Sequence, residues 1–144
     1  MVNDDSIGRV TGIGGIFIKY RDPDKVKQWY ADYLGINVDE YGTSFEWRQS
    51  LNPTQKGFTV WSPFSQASEY FKPSEKEMMI NFRVDNLDAI LKKLADKGVY
   101  RLNSIEVTDY GRFAHIIDPE GLKLELWEAN DDAYDEMIGE KRTL

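Results

Sequence analysis

Glu125 and His115 lie ten residues apart near the end of this chain, and together they have the chemistry of a general base. Residues alternate in character from Lys123 to Trp127, which is typical of a strand, so Glu125 lies on the face opposite Leu124. His115 is the only histidine in the chain. An imidazole bonded to a carboxylate can take up a proton near neutral pH, so a contact between the two would make a candidate catalytic pair.

The register of the hairpin that joins the two strands determines whether the side chains of His115 and Glu125 are in contact. The sequence Asp-Pro-Glu-Gly at 118–121 predicts a turn between two strands. A four-residue turn places Ala114 opposite Glu125 and puts His115 with Leu124 on the aliphatic face, where it would be structural. A loop that differs by one residue reverses this and brings His115 to the carboxylate. Both arrangements remain open.

Composition narrows the classes of function. The chain has no cysteine, which excludes disulfides, thiolate metal sites and cysteine nucleophiles. Its net charge is −7, and no basic patch breaks the acidic field, so neither nucleic acid nor an anionic membrane is expected as a partner. No run reaches the roughly 20 apolar residues of a membrane helix, and no signal peptide opens the sequence. We therefore expect a cytoplasmic protein.

The order of predicted elements is strand, helix, strand, strand, strand, and it occurs twice. Asp22 and Asn86 are N-cap residues for the two helices, and Gly35 and Gly98 end them. The first half is predicted to have strands at about 10–20, 36–40, 43–49 and 57–62. The second half is predicted to have strands at about 78–84, 104–107, 112–117 and 122–127.

Matches between the halves indicate an internal repeat. Ile18 corresponds to Phe82 at an offset of 64 residues, and Thr59-Val60-Trp61-Ser62 corresponds to Glu125-Leu126-Trp127-Glu128 at an offset of 66. We predict one domain over residues 1–144: module one at about 10–62, an aromatic connector at 63–76, module two at about 77–128 and an acidic tail at 129–144. The tail is expected either as a short docked helix or as a frayed end.

The hairpin carries a family resemblance. Asp-Pro-Glu-Gly followed by an alternating strand with one central Glu resembles the closing hairpin of the glyoxalase, bleomycin-resistance and extradiol dioxygenase superfamily, the vicinal oxygen chelate proteins. The resemblance covers roughly residues 10–128. It implies an α+β fold in which two βαβββ modules form a curved mixed sheet, a half-barrel, with one helix per module on the outside.

The resemblance also implies where a metal would bind. In metal-dependent relatives each module donates two ligands to one divalent ion, and the corresponding positions here are Gly15, Thr59, Met79 and Glu125. Glycine has no donor atom, a thioether is soft, and a threonine hydroxyl is a weak ligand for such ions. We therefore predict that the usual metal centre is lost and that no cofactor is needed.

Strand alternation gives the candidate ligand-binding residues. Those expected on the same face as Glu125 are Phe17, Thr59, Trp61, Asn81, Arg83 and Trp127, with Lys19 and Lys123 beside them. The alternative for each is a structural role: a core or interface aromatic, or a charge on a solvated rim.

We predict a glyoxalase-like protein that binds a small organic molecule between its modules without a metal; its acidity favours a neutral or cationic ligand. If it is an enzyme, the resemblance implies a lyase or dioxygenase with Glu125 and His115 as catalytic residues. Two alternatives are a metal-dependent lyase or dioxygenase with displaced ligands and a non-catalytic interaction module whose cavity is filled, for example by the connector. A homodimer is expected from the resemblance and because the chain has Trp 4, Tyr 8 and Phe 7.

Overall fold

The computed structural model of the protein describes residues 8–144. Over this range the chain forms seven strands and three helices: β1 (Val10–Tyr20), α1 (Pro23–Leu34), β2 (Thr43–Gln49), β3 (Asn52–Ser65), β4 (Met78–Val84), α2 (Leu87–Asp96), β5 (Glu106–Thr108), β6 (Gly111–Ile117), β7 (Lys123–Ala129) and α3 (Asp131–Ile138).

All the strands belong to one open mixed sheet in the order β2-β3-β1-β4-β7-β6-β5. The pairs β1/β3 and β4/β7 are parallel, and the remaining neighbours, including the central pair β1/β4, are antiparallel. In the central pair, Ile16 lies opposite Ile80, and Gly15 opposite Asn81. Phe17 lies opposite Met79. A twofold rotation at Ile16 and Ile80 exchanges these two flanking pairs, so the predicted α+β fold and the repeat offset of 64 residues are confirmed.

Module one is shorter than predicted. Residues 36–40 form no strand; instead the Asp39 backbone N–H donates to the Gly42 carbonyl over 2.8 Å, and its carboxylate accepts from the backbone N–H of Tyr41. This turn replaces the predicted strand, so module one is βαββ and module two is βαβββ. The stretch 50–56, between the strands predicted at 43–49 and 57–62, is also mostly strand, because β3 begins at Asn52.

Two helices cover one face of the sheet. The Asp22 and Asn86 side chains cap α1 and α2 as predicted, and Gly35 ends α1 in the left-handed conformation at φ 70°. Leu87 and Ile90 of α2 pack on strand residues of module two and form the main core there. On the other side of the twofold, Trp61 of β3 stacks on Tyr30 of α1 at a centroid distance of 4.2 Å.

The tail is a docked helix. Arg142 lies just beyond α3 and pairs with Glu46 of β2 at 2.8 Å and with Asp135 of α3 at 2.5 Å. The Thr143 backbone N–H donates to the Ser44 carbonyl, which ties the end of the chain to the edge strand. These contacts hold α3 on the face of the sheet opposite α1 and α2. No helix within residues 8–144 has the length and apolar character needed to cross a bilayer.

Candidate functional site

A cavity of about 570 Å³ lies on the sheet face that α1 and α2 leave uncovered. Both modules, the connector and the tail contribute to its wall, which is mainly apolar. The aromatic residues of the wall are Phe17, Tyr41, Phe64, Tyr70, Tyr110, Phe113, Trp127 and Tyr134. The volume lies within the range of roughly 300–1,000 Å³ that is typical of small-molecule sites.

The hairpin register brings the candidate catalytic residues together. His115 pairs directly with Glu125, and Ile117 pairs with Lys123, one residue away from the register that places Ala114 opposite the carboxylate. The cause is the loop: the Asp118 carboxylate accepts from the backbone N–H of both Glu120 and Leu122, so Leu122 joins the turn instead of the strand. Of the two arrangements that the sequence left open, the structure has the one that brings His115 to the carboxylate, and its Nε2 lies 2.8 Å from Glu125 Oε2.

Glu125 is a buried carboxylate with three side-chain donors. It is 3% exposed. Asn81 Nδ2 donates to Oε1 over 2.6 Å, while Oε2 accepts from His115 Nε2 and the Tyr70 hydroxyl. An ionised carboxylate offers about four acceptor positions, so three donors leave one position on Oε1. Hydrogen bonds of this kind are what keep a buried charge tolerable in a low-dielectric site.

Tyr70 comes from the connector, which crosses the sheet face at this point. Burial and the neighbouring Glu125 carboxylate raise the pKa of the Tyr70 hydroxyl, so it remains a donor over the physiological range. The connector is held by Lys123, whose ammonium donates to the carbonyl groups of Tyr70 and Lys72 over 2.5 and 3.0 Å. Burial lowers the pKa of Lys123. Phe71 is fully buried against Phe17 and fixes the connector from the other side.

Gly14 allows Asn81 to reach the carboxylate. A Cβ atom at Gly14 would overlap Asn81 Oδ1 and would lie 3.0 Å from both Arg83 Cγ and the Trp127 ring. Asn81 Oδ1 is buried and accepts no hydrogen bond within the described part of the chain. This amide therefore presents an unused acceptor beside Glu125, in the space that the missing side chain leaves.

Some of the predicted site residues line the cavity, and others do not. Phe17, Asn81, Trp127 and Glu125 line the cavity, and their part in binding stays a prediction. Arg83 lies on the same strand face as Asn81, but its guanidinium is committed to Asp131 at 2.6 Å. His115 contacts Glu125 without lining the cavity.

Thr59 and Trp61 lie away from the cavity, which corrects their predicted placement. The Thr59 hydroxyl donates to the Ile13 carbonyl, and Trp61 stacks on α1. The reason is the repeat offset in the last strand: Ile16 pairs with Trp61 and its twofold mate Ile80 pairs with Leu124, an offset of 63 residues. The predicted 66 differs by an odd number, which moves each side chain to the other face. Ser62, not Thr59, is the counterpart of Glu125.

The family assignment agrees with this geometry. The sequence matches the model of the Glyoxalase/Bleomycin resistance protein/Dioxygenase superfamily over residues 12–126. The chain belongs to this superfamily. A comparison with curated proteins found no match.

Solved structures share the fold. A variant of Streptomyces coelicolor methylmalonyl-CoA epimerase, in complex with 2-nitronate-propionyl-CoA, matches with a TM-score of 0.60 and 19% identity, covering 83% of this chain and 97% of that chain. Methylmalonyl-CoA epimerase from Mycobacterium tuberculosis matches with a TM-score of 0.52 and 19% identity, covering 88% of this chain and 91% of that chain. At these identities the likeness concerns the fold alone.

The four positions at which the family resemblance implies metal ligands do not fit a divalent ion. Gly15 has no donor, and Met79 is fully buried in an apolar cluster with Phe17 and Phe71. Neither Thr59 nor its corrected replacement, Ser62, lines the cavity, and a hydroxyl is a weak ligand for such ions. Glu125 is the one strong ligand in the set, and within the described residues no group of three acidic or histidine side chains has a metal-binding arrangement.

Sequence reasoning missed all four tyrosines that line the cavity; one of them, Tyr41, lies just before β2. Tyr70 belongs to the connector, Tyr110 precedes β6, and Tyr134 belongs to α3, where its hydroxyl contacts the Ser44 hydroxyl at 2.6 Å. Two signals were present in the sequence: the connector was too apolar for a free loop, and Tyr134 and Ile138 had helical spacing in the tail. Neither signal states which surface such a segment covers.

Proposed function

We propose that this superfamily member binds a small, partly aromatic organic molecule in the cavity without a divalent metal. The proposal rests on one observation: a cavity of about 570 Å³ with an aromatic wall is also lined by the buried, hydrogen-bonded carboxylate of Glu125. Ligand sites combine an apolar wall with a few fixed polar groups in this way. Phe64 and Tyr70 of the connector lie in the wall of the cavity and leave its volume open, which argues against the alternative of a filled, non-catalytic module.

Ligand-induced stabilisation tests the binding proposal. A panel of neutral, cationic and anionic aromatic compounds is screened by melting temperature; a ligand at 100 times its Kd adds about 2.7 kcal/mol to the free energy of unfolding. Val60→Trp narrows the cavity, so it should remove the shift, whereas Val107→Trp at a 73% exposed position should retain it. Equal shifts in both variants, or no shift with any compound, would contradict the proposal.

Metal content separates this proposal from a metal-dependent lyase or dioxygenase. Protein purified without chelators should contain well below one equivalent of any divalent metal by elemental analysis, because the family positions offer one strong ligand. Stoichiometric metal that Glu125→Gln removes would favour the alternative. The same measurement on Glu120→Gln, an exposed position in the turn after β6, controls for adventitious surface binding.

The contact between His115 and Glu125 supports a second candidate function, metal-independent proton transfer. A carboxylate in contact with an imidazole at 2.8 Å can remove a proton from a bound molecule while the imidazole stabilises the change in charge. The test is deuterium incorporation into a bound compound in D₂O, followed by NMR. Exchange that is lost in Glu125→Gln and retained in Glu120→Gln supports catalysis, while exchange unaffected by either change contradicts it.

The predicted homodimer is also a proposal. Trp29 and Tyr33 are 51% and 72% exposed on α1, with their rings 5.0 Å apart, next to the exposed Leu34. An apolar cluster of this kind is typical of a contact surface between copies. Light scattering should give twice the chain mass for the native protein and for Tyr100→Glu, and the monomer mass for Trp29→Glu. A native monomer at micromolar concentration would exclude the homodimer.

A further inference from the structure

The charged side chains that line the cavity are all acidic. Glu125 lies inside it, and Asp39 and Glu106 contribute to its wall. Within residues 8–144 no lysine, arginine or histidine lines it. The two buried cations nearby are already committed: Arg83 to Asp131, and Lys123 to carbonyl groups of the connector. A site of one charge sign attracts ligands of the opposite sign.

Among the residues that line the cavity, the buried polar atom without a hydrogen bond is an acceptor; the unpaired donor Arg83 Nη1 belongs to a residue outside this lining. Three donors occupy Glu125 and leave one position on Oε1, and Asn81 Oδ1 is buried without a partner. A buried acceptor without a donor is unfavourable, so a ligand that supplies N–H groups here gains more than one that supplies oxygen acceptors. An ammonium group has donors and no acceptor.

The aromatic wall suits the body of such a ligand. Trp127, Tyr70 and Phe113 line the cavity around the carboxylate and offer apolar surface. Arg83 already lies over the Trp127 ring and Lys123 over the Tyr70 ring, so the attraction for a cation comes from the carboxylate and not from these ring faces. The carboxylate and the unpaired amide oxygen favour a positively charged nitrogen, and the wall favours an apolar body.

We propose that the ligand is an organic amine bound as its ammonium ion, with the nitrogen at Glu125 and Asn81 and an apolar body along the aromatic wall. This inference rests on the proposed binding function and narrows it. It disfavours polyanionic ligands such as the coenzyme A derivatives bound in structures of similar epimerases, because no lysine, arginine or histidine among residues 8–144 lines the cavity to pair with their phosphates.

Three compounds that share one ring and differ in head group test the inference. The probes are 2-(2-naphthyl)ethylamine, 2-(2-naphthyl)ethanol and 3-(2-naphthyl)propanoate, measured by isothermal titration calorimetry at pH 7.5. The amine should bind about tenfold more tightly than the alcohol, as expected for a charge-assisted hydrogen bond to the Glu125 carboxylate, and the propanoate probe should bind most weakly. Glu125→Gln should remove the preference for the amine, and Glu120→Gln should retain it.

A second variant changes a residue that is not buried. Glu106→Gln changes an exposed residue at the edge of the cavity, so it should slow association of the amine about two- to threefold, with no change for the alcohol. Equal affinity for amine and alcohol would overturn the amine inference while leaving the binding function intact. Tightest binding of the carboxylate would also overturn it. Failure of all three probes to bind would count against both proposals.

Discussion

The two modules place different chemistry at equivalent positions of one twofold scaffold. Phe17 of β1 and Asn81 of β4 are related by the rotation, and each pairs with the last strand of its own module, Phe17 with Ser62 and Asn81 with Glu125. Module one therefore has a phenyl ring and a hydroxyl where module two has an amide and a carboxylate. The side chains that bond Glu125 come from module two and the connector, and module one supplies none of them, although its Thr43 and Ser44 also line the cavity.

The neighbouring pair of positions follows the same division. Arg83 is the twofold counterpart of Lys19, and both lie on the cavity face of their strands. Arg83 is 6% exposed and bonded to Asp131, whereas Lys19 is partly exposed above the Phe71 ring. The duplicated backbone thus determines the strand face on which each side chain lies. Burial by the tail and the connector determines which charged side chains need an ion-pair partner. This difference can be tested one position at a time.

Arg83→Met should have the largest effect on stability. It leaves Asp131 as a buried carboxylate without its cation, and breaking such a pair costs about 3–5 kcal/mol. Lys19→Met removes a partly exposed ammonium and should change the free energy of unfolding by less than about 1 kcal/mol. Chemical denaturation of both variants measures the difference. Equal losses would mean that the modules do not differ in this way.

Gly14→Ala should have the second largest effect. The new Cβ would overlap Asn81 Oδ1 and crowd Trp127, so we expect a loss in the upper part of the roughly 1–3 kcal/mol cost of overpacking, together with weaker ligand binding. Gly12→Ala is the matched control on the same strand. A Cβ there meets its nearest neighbour, the Trp47 ring, at 3.9 Å, which is ordinary contact. A neutral Gly14→Ala would show that Asn81 can move without consequence.

Much of the fold was predictable because nearly the same order of strands and helices occurs in both halves of the sequence. Caps at Asp22 and Asn86 and the helix-ending Gly35 are local signals, and the structure agrees with each of them. The predicted strand at 36–40 failed because the side chain of Asp39 bonds the backbone two and three residues on and forms a turn. Alternation alone does not reveal such a turn.

The site was harder to predict because it depends on which face of each strand a side chain occupies, and neighbouring residues in a strand face opposite ways. One extra residue in the turn after β6 brought His115 to Glu125, and an offset of 63 instead of 66 removed Thr59 and Trp61 from the cavity. A shift by an odd number exchanges the faces of a strand, so small errors in register invert the interpretation. The placement of Tyr70 and Tyr134 depends on long-range docking, which spacing does not encode.

Tyr70→Phe should have a moderate effect that depends on pH. It removes a donor to Glu125; because Tyr70 is 37% exposed and water can partly replace the hydroxyl, we expect about 1.5 kcal/mol, the lower end for a bond to a charged group. Folding raises the pKa of Tyr70 above the unfolded value of about 10, so the stabilisation is complete below that pH and is lost as the pH rises further.

The pH dependence distinguishes this bond from simple packing. The difference in unfolding free energy between native protein and Tyr70→Phe should be constant from about pH 7 to 9 and should shrink above about pH 10. Tyr100→Phe, at a 69% exposed position, serves as the control, and its unfolding free energy should equal that of the native protein both below and above pH 10. A gap for Tyr70→Phe that persists unchanged to pH 11 would exclude the hydroxyl as its source.

Ser62→Ala should have the smallest effect, although Ser62 is the counterpart of Glu125. Its hydroxyl donates to the Tyr41 carbonyl at an exposed site, so its loss should cost about 0.5 kcal/mol and leave ligand affinity unchanged. Glu125→Ala at the equivalent position leaves Asn81 Nδ2 and His115 Nε2 without their shared acceptor and should abolish binding. Calorimetry on the two variants compares the modules directly. If Ser62→Ala weakens binding as much as Glu125→Ala, the polar part of the site extends into module one, and the division of chemistry between the modules is wrong.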